Sequence, residues 1–271
     1  MLNRDQHSRN DRIFDLIIQE YVVTAEPVGS RTISRRYKVG LSPASIRNVM
    51  ADLEDQGLLK QPHTSAGRIP TDKGYRYYVD SLMAPEELTD KDKELIVTEL
   101  SKVRTIDGLA ARVSKIVPKL TGNAAIIYIK SLKRVSFLSH LLEELIEAQK
   151  ISDFFEEDAE LLIEGVFRVL EQPEFQDFSK VKPFLRTLEE KYDLLQILAD
   201  DLEEEGVQVH IGSENEPGPL ENVSLVVKDC YASGEPFGGV AVIGPTRMNY
   251  SKVVSIVDFV ADTVTRAVRK F

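Results

Sequence analysis

Between residues 11 and 83 the apolar positions recur in short helical bursts separated by turn residues. Ile13, Leu16, Ile17 and Tyr21 share one face and predict a helix over 11–21. Glu26-Pro27-Val28-Gly29 reads as a turn. Ser30 is the expected cap of a short helix, Arg31 to Tyr37, with Ile33 and Tyr37 turned inward. Lys38 to Leu41 is a tight connection containing glycine. The stretch Ser42 to Gly57 is the clearest element. Ile46, Val49, Met50 and Leu53 form a stripe at i, i+3, i+4, i+7, Ser42 can cap the helix, Pro43 suits its first position, and Gly57 can end it. Two short helices joined by a glycine-containing turn make a helix-turn-helix. Leu58-Leu59 then starts a strand, Gln61 to Gly67 is a polar loop, and Arg68-Ile69-Pro70 returns, which together predict a wing. Thr71 caps a following helix with Tyr75, Tyr78, Val79 and Leu82 on one side. The pattern predicts a winged-helix domain over 1–83.

Beyond it the period changes. Ala84-Pro85-Glu86-Glu87 breaks the chain and marks a boundary. Leu95, Ile96, Leu100 and Val103, then Leu109, Val113, Ile116 and Val117, predict helices over 84–122, either a dimer spacer or a linker packed on its own domain. Residues 123–271 read as an α+β domain with strands flanked by helices on one side. Ala124 to Ile129 and Val135 to Leu138 are β-rich. The stretch 141–206 reads as helical and acidic, with Leu161, Leu162, Val166, Val169 and Leu170 among its buried positions. Val207 to Ile211, Ser224 to Val227, Cys230 to Ala232 and Gly239 to Ile243 are strands, and a last helix runs from about Tyr250 to Arg269.

A net charge of −10 over 271 residues would discourage a nucleic-acid reading if the charge were uniform. It is not. Up to Met83 there are 12 Lys and Arg against 10 Asp and Glu, whereas the remainder has 22 against 34. A phosphate backbone needs only a local cationic patch. No run of about 18 apolar residues occurs, so no membrane span is expected. The polar N-terminal stretch and the single Cys230 suggest a reducing, cytoplasmic setting, nucleoid-associated if DNA is bound. His7, His63, His140 and His210 are scattered, with no zinc spacing, and the acidic runs at 156–160 and 200–205 look like solvated helix faces. We expect no metal, no cofactor and no catalytic residue.

The candidate chemistry lies on the second helix of the pair. Opposite its apolar stripe are Ala44, Arg47 and Asn48, with Ser45 on the flank and Ser42 at its start. Small residues let a helix approach a surface closely, and Arg and Asn can pair with guanine and adenine edges. Arg31, Arg35 and Arg36 sit where the first helix of such a pair crosses the backbone, and His63, Thr64, Ser65 and Arg68 suit wing contacts to phosphate or minor groove. Taken alone, the helix is better explained as an ordinary amphipathic surface helix. Its neighbours favour double-stranded DNA. Three other readings compete: an anionic effector at Arg247, a Cys230–His210 catalytic pair, and a winged helix used only for protein contact.

The segment from Pro27 to Asp80, and SAGRIPTDKGYRYYVD within it above all, resembles the head of the HrcA family of bacterial heat-inducible transcription repressors. GVFRVLEQPEF (Gly165 to Phe175) and VAVIGPTRMNYSKV (Val240 to Val253) are similar to its C-terminal part. The resemblance implies a homodimer binding a CIRCE-type inverted repeat ahead of chaperone operons. It implies a winged-helix head followed by a GAF-like α+β domain with a helical dimerisation region, and an active form maintained by the GroE chaperonin. It implies no cofactor. One departure stands out. The family carries several tens of further residues between the strand near Phe137 and the helix near Leu141, where Ser139-His140 here runs almost straight into the helix, so either a reduced sheet or a shortened form of the family is expected.

Overall fold

The structure is a computed structural model, and it describes residues 2–130, 159–189, 206–215 and 223–269. The expected strand over 135–138, the start of the acidic helical region and the run at 200–205 lie outside the described residues.

Helix α1 spans Leu2–Thr24 and buries Ile13, Phe14, Ile17 and Ile18. It begins well before residue 11, in turns that carry no apolar stripe for a sequence pattern to show. Helix α2 is Ser30–Arg36. Ser30 is not its cap. It is the first helical residue and is buried, while Gly29 holds the extended N-cap position with no side-chain bond. The cause lies outside the helix. Val28 exchanges both backbone hydrogen bonds with Arg68 (2.8 and 2.9 Å), which fixes the chain two residues ahead of the helix start. Helix α3 is Pro43–Asp55. Ser42 Oγ accepts from Ser45 N at 3.1 Å, Pro43 is the first residue, and Gly57 takes φ +74° just past the end.

Strands β1 (Leu59–Lys60) and β2 (Ile69–Pro70) pair antiparallel, and the Val28–Arg68 bridge extends this wing sheet toward α2. Helix α4 (Asp72–Tyr77) is capped by Thr71, whose Oγ1 accepts from Gly74 N at 3.0 Å. It runs into a π-turn over Tyr78–Leu82. Gly74 is required here, since a Cβ would lie 2.1 Å from the Leu58 carbonyl oxygen.

Helices α5 (Asp90–Ser101) and α6 (Ile106–Thr121) cover the 84–122 segment. They lie on the second region. α6 buries Leu109, Ala110, Val113, Ile116 and Val117 across β3, and α5 packs against α6 and the last helix. Strands β3 (Ala124–Lys130), β4 (Ala159–Glu164), β5 (Gln208–Ile211), β6 (Val223–Ala232) and β7 (Glu235–Pro245) form one antiparallel sheet in the order β4-β3-β7-β6-β5. Ser233 and Gly234, both at positive φ, make the tight turn between β6 and β7.

Two expectations are corrected here. Residues 159–164 are strand, although the whole of 141–206 read as helical. Leu161-Leu162-Ile163 is a short continuous apolar run, which has no period of its own. Pairing with β3 decides it, from Ala125↔Glu164 to Lys130↔Ala159. The sheet is also covered on both faces, not one. Ala125, Ile127, Val226, Cys230, Val240 and Val242 face α6 and helix α9 (Tyr250–Val268). Ala124, Ile126, Leu225, Val227, Ala241 and Ile243 face a second layer. That layer comprises α7 (Val166–Leu170), a 3-10 turn (Pro173–Gln176) and α8 (Phe178–Glu189), which bury Val169, Phe175 and Phe184. The Phe175 and Phe184 rings lie 5.0 Å apart, and burying each contributes ~1.5–3 kcal/mol. Double coverage is why Leu225-Val226-Val227 of β6 and Val240-Ala241-Val242-Ile243 of β7 are unbroken apolar runs.

The apolar core continues from the winged helix into the sheet region. Tyr75 of α4 packs on Tyr250 of α9 at 5.7 Å between ring centres, and Glu86 N donates to Ser251 O.

Candidate nucleic-acid interface

Helix α3 turns its apolar stripe wholly inward: Ile46, Val49 and Leu53 are at most 1% exposed. That fixes the opposite face. Ala44, Arg47 and Asn48 are exposed there, Ser45 is half-buried, and Ser42 is exposed at the helix start with its Oγ 2.9 Å from Ser45 Oγ. Asp52 and Asp55 are exposed toward the C-terminal end of the same helix. The polar face therefore carries a cation near its beginning and acids near its end.

The wing completes a cleft. Arg31, Arg47, Gln61, Thr64, Ser65 and Arg68 line a concave surface between the start of α2, the middle of α3 and the wing loop. Gln61 shapes the loop, since its Nε2 donates to the Thr64 and Ala66 carbonyls at 2.9 and 3.0 Å. Gly67 lets the wing close on the turn before α2, because a Cβ there would lie 2.4 Å from the Val28 backbone. Arg35 and His63 are exposed but outside this cleft, as is Asn48.

Not every expected arginine is available as a cation. Arg31, Arg35 and Arg47 have no ion-pair partner among the described residues. Arg36 and Arg68 do. Arg36 Nη1 reaches Glu20 Oε1 at 2.5 Å, and Tyr37 Oη donates to Glu20 Oε2 at 2.8 Å. Glu20 is buried, and the loss of water around Tyr37, together with this carboxylate, pushes the phenol up to about 12. Arg68 places Nε and Nη2 each 2.8 Å from Glu54 Oε2 on α3, so its guanidinium braces the wing against the helix. Sequence reasoning missed Glu20, Glu54 and Gln61. Glu20 and Glu54 act across 14 to 17 residues, and no local pattern marks such pairs.

The other candidates sit in the sheet region. Arg247, in the turn between β7 and α9, is buried and fully engaged: it donates to Glu174 with Nε and Nη2, to Gln172 Oε1 at 2.8 Å and to the Val22 carbonyl at 2.5 Å. Cys230 is buried against the Ala261 carbonyl, and burial pushes its thiol well up, the reverse of an activated nucleophile. His210 pairs with Leu225, five residues along β6 from Cys230 and hence ~16 Å away. The structure does not bring the two together. Among the described residues there is no cluster of His, Cys, Asp and Glu able to hold a metal ion, and no helix long and apolar enough to cross a membrane.

Comparison with known proteins agrees with this architecture. A family profile described as "HrcA protein C terminal domain" matches residues 126–254. The heat-inducible transcription repressor HrcA of Pelotomaculum thermopropionicum is 32% identical over 97% of this chain and 97% of its own length. That of Geobacter sulfurreducens is 34% identical over 97% and 98%. The first alignment runs over 336 positions against 271 residues here, so several tens of positions in that relative have no counterpart in this chain. A crystal structure of a hypothetical protein at 2.2 Å resolution shares the fold, with a TM-score of 0.70 at 18% identity over 97% of this chain and 98% of that one.

Proposed function

The chain belongs to the HrcA family of heat-inducible transcription repressors, and from that premise we propose that it represses heat-shock chaperone operons by binding double-stranded DNA. In this reading two copies form a homodimer, each places one winged-helix head on half of a CIRCE-type inverted repeat, and the GroE chaperonin maintains the active form.

The observation that carries the reading is the exposed face of α3. A helix held by a buried stripe presents Ala44, Arg47 and Asn48 outward, beside a cleft lined by Arg31, Arg47, Thr64 and Ser65. The charge order along α3 sets how it enters the groove. Its first two turns carry the cation and the amide. Asp52 and Asp55 near its end repel phosphate, so the helix approaches N-terminus first, with the acids directed away from the backbone. Arg47 and Asn48 then read base edges, Arg31 and Arg35 neutralise phosphates, and Thr64 and Ser65 donate from the wing tip. Arg68 braces the wing, and Arg36 must leave Glu20 before it can serve a phosphate.

An effector at Arg247 has less support, because its donors are already committed inside the protein. Mobility-shift competition tests the main reading: an inverted-repeat operator is expected to outcompete scrambled DNA by orders of magnitude. Equal competition by both would refute it. Omitting the chaperonin during expression in a reconstituted system is expected to lower the fraction of DNA-competent protein.

A further inference from the structure

The α1 C-terminus, α4 and the β7–α9 turn meet at one seam between the winged helix and the sheet region. Helix α1 ends at Thr24, so the carbonyl of Val22 has no helical partner, and such carbonyls carry the negative end of the helix dipole. Arg247 donates to it from the sheet region. The same guanidinium is gripped from behind by Glu174 and Gln172 of the α7–α8 connection, so one buried side chain joins three elements. At the other end of the seam Arg76 of α4 makes a two-pronged pair with Glu214 and donates to the Val209 carbonyl, with Asp80 on its far side. Ser213 N donates to Asp72 at 3.1 Å. Between the two anchors lie Tyr75 and Tyr250.

We propose that Arg247 and Arg76 are positioning residues that clamp the winged-helix head to the sheet region in a single orientation. The chain linking the two parts, residues 83–89, has no regular structure and could not hold that orientation by itself. A forked guanidinium fixes direction as well as distance, which a single ammonium does not. Two heads on an inverted repeat must present their recognition helices at the operator's half-site separation, about 34 Å for one helical turn or a multiple of it, so the clamp sets which half-site spacing is read. That consequence rests on the DNA-binding reading above, whereas the clamp itself does not.

The test uses the full chain without DNA. Spin labels are placed on the exposed Glu26→Cys of the head and Glu235→Cys of the β6–β7 hairpin, with labelled chains diluted in unlabelled ones. Cys230 is buried and stays unlabelled. A narrow distance distribution is expected for the parent. Arg247→Lys and Arg247→Met are each expected to broaden or split it, and Arg76→Gln, at a half-exposed site that tolerates change, to broaden it less. Distributions as narrow as the parent in folded Arg247→Lys and Arg76→Gln would overturn the proposal. A second arm titrates operators whose half-site spacing is varied. Arg76→Gln is expected to lose part of the parent's spacing preference while binding a single half-site unchanged. Retained preference would count against the clamp. Failure of the parent to bind any operator would overturn the DNA reading and leave the distance result standing.

Discussion

The winged-helix head and the sheet region are built on opposite plans. In the head, the short elements after α1 are set by their ends: Ser42 and Thr71 cap helices with side-chain bonds, and Gly57 stops one. On its polar surface Arg31, Arg35 and Arg47 have no ion-pair partner among the described residues. In the sheet region, elements are set by their faces. Among the described residues a five-stranded sheet is buried on both sides, and Lys228 and Arg247 are paired with carboxylates, Lys228 with Asp258 and Asp262 at 2.6 and 2.7 Å. The difference teaches where function can sit. A surface whose cations lack partners can receive a polyanion, and one whose cations are paired serves the fold.

The largest expected effect comes from crowding a close backbone approach in the head. Gly74→Ala forces a methyl against the Leu58 carbonyl, with no flexible side chain to yield, and is expected to cost about 3 kcal/mol or more of head stability. Thermal denaturation followed by hydrogen exchange would show the loss in residues 10–83 and leave the sheet region protected. Equal loss in both would break the contrast, making the two regions one cooperative unit.

Next in size is the phosphate patch. Arg31→Ala and Arg35→Ala are each expected to weaken binding to all DNA alike and to flatten the slope of log affinity against log salt by ~0.9. Arg68→Ala is expected to lower affinity through wing displacement with little change in slope, since its charge already faces Glu54. Salt titrations of the three variants separate free cations from paired ones.

Ser42→Ala removes the bond to Ser45 N and is expected to cost ~1 kcal/mol, read by chemical denaturation. The smallest effect is at the seam. The Tyr75 hydroxyl is buried with no hydrogen-bond partner among the described residues. Tyr75→Phe is therefore expected to be neutral or to stabilise by up to ~1 kcal/mol, raising the melting temperature by about 2–4 °C. A drop of that size would show that the hydroxyl is satisfied in solution.

The two plans also explain what was legible in the sequence. Caps, turns and the i, i+3, i+4, i+7 stripe are local signals, so α3, the wing and the exposure of Ala44, Arg47 and Asn48 follow from residues 42–70 alone. Ser30 misled because a long-range bridge, Val28 to Arg68, moved the helix start. Residues 159–164 misled because a short apolar run has no period, and only β3 shows it to be a strand. The pairing of Arg36, Arg68 and Arg247 was invisible for the same reason. Each partner lies 14 or more residues away, and charge counting cannot distinguish a cation facing solvent from one facing a carboxylate.

The central claim is that the outer face of α3 reads sequence. The most direct test is the affinity of the parent and of Asn48→Ala for an inverted-repeat operator and for scrambled DNA, measured by fluorescence anisotropy at one salt concentration. The account predicts a loss of roughly 1–3 kcal/mol per half-site on the operator and none on scrambled DNA. An equal loss on both, or no loss on either, would contradict it.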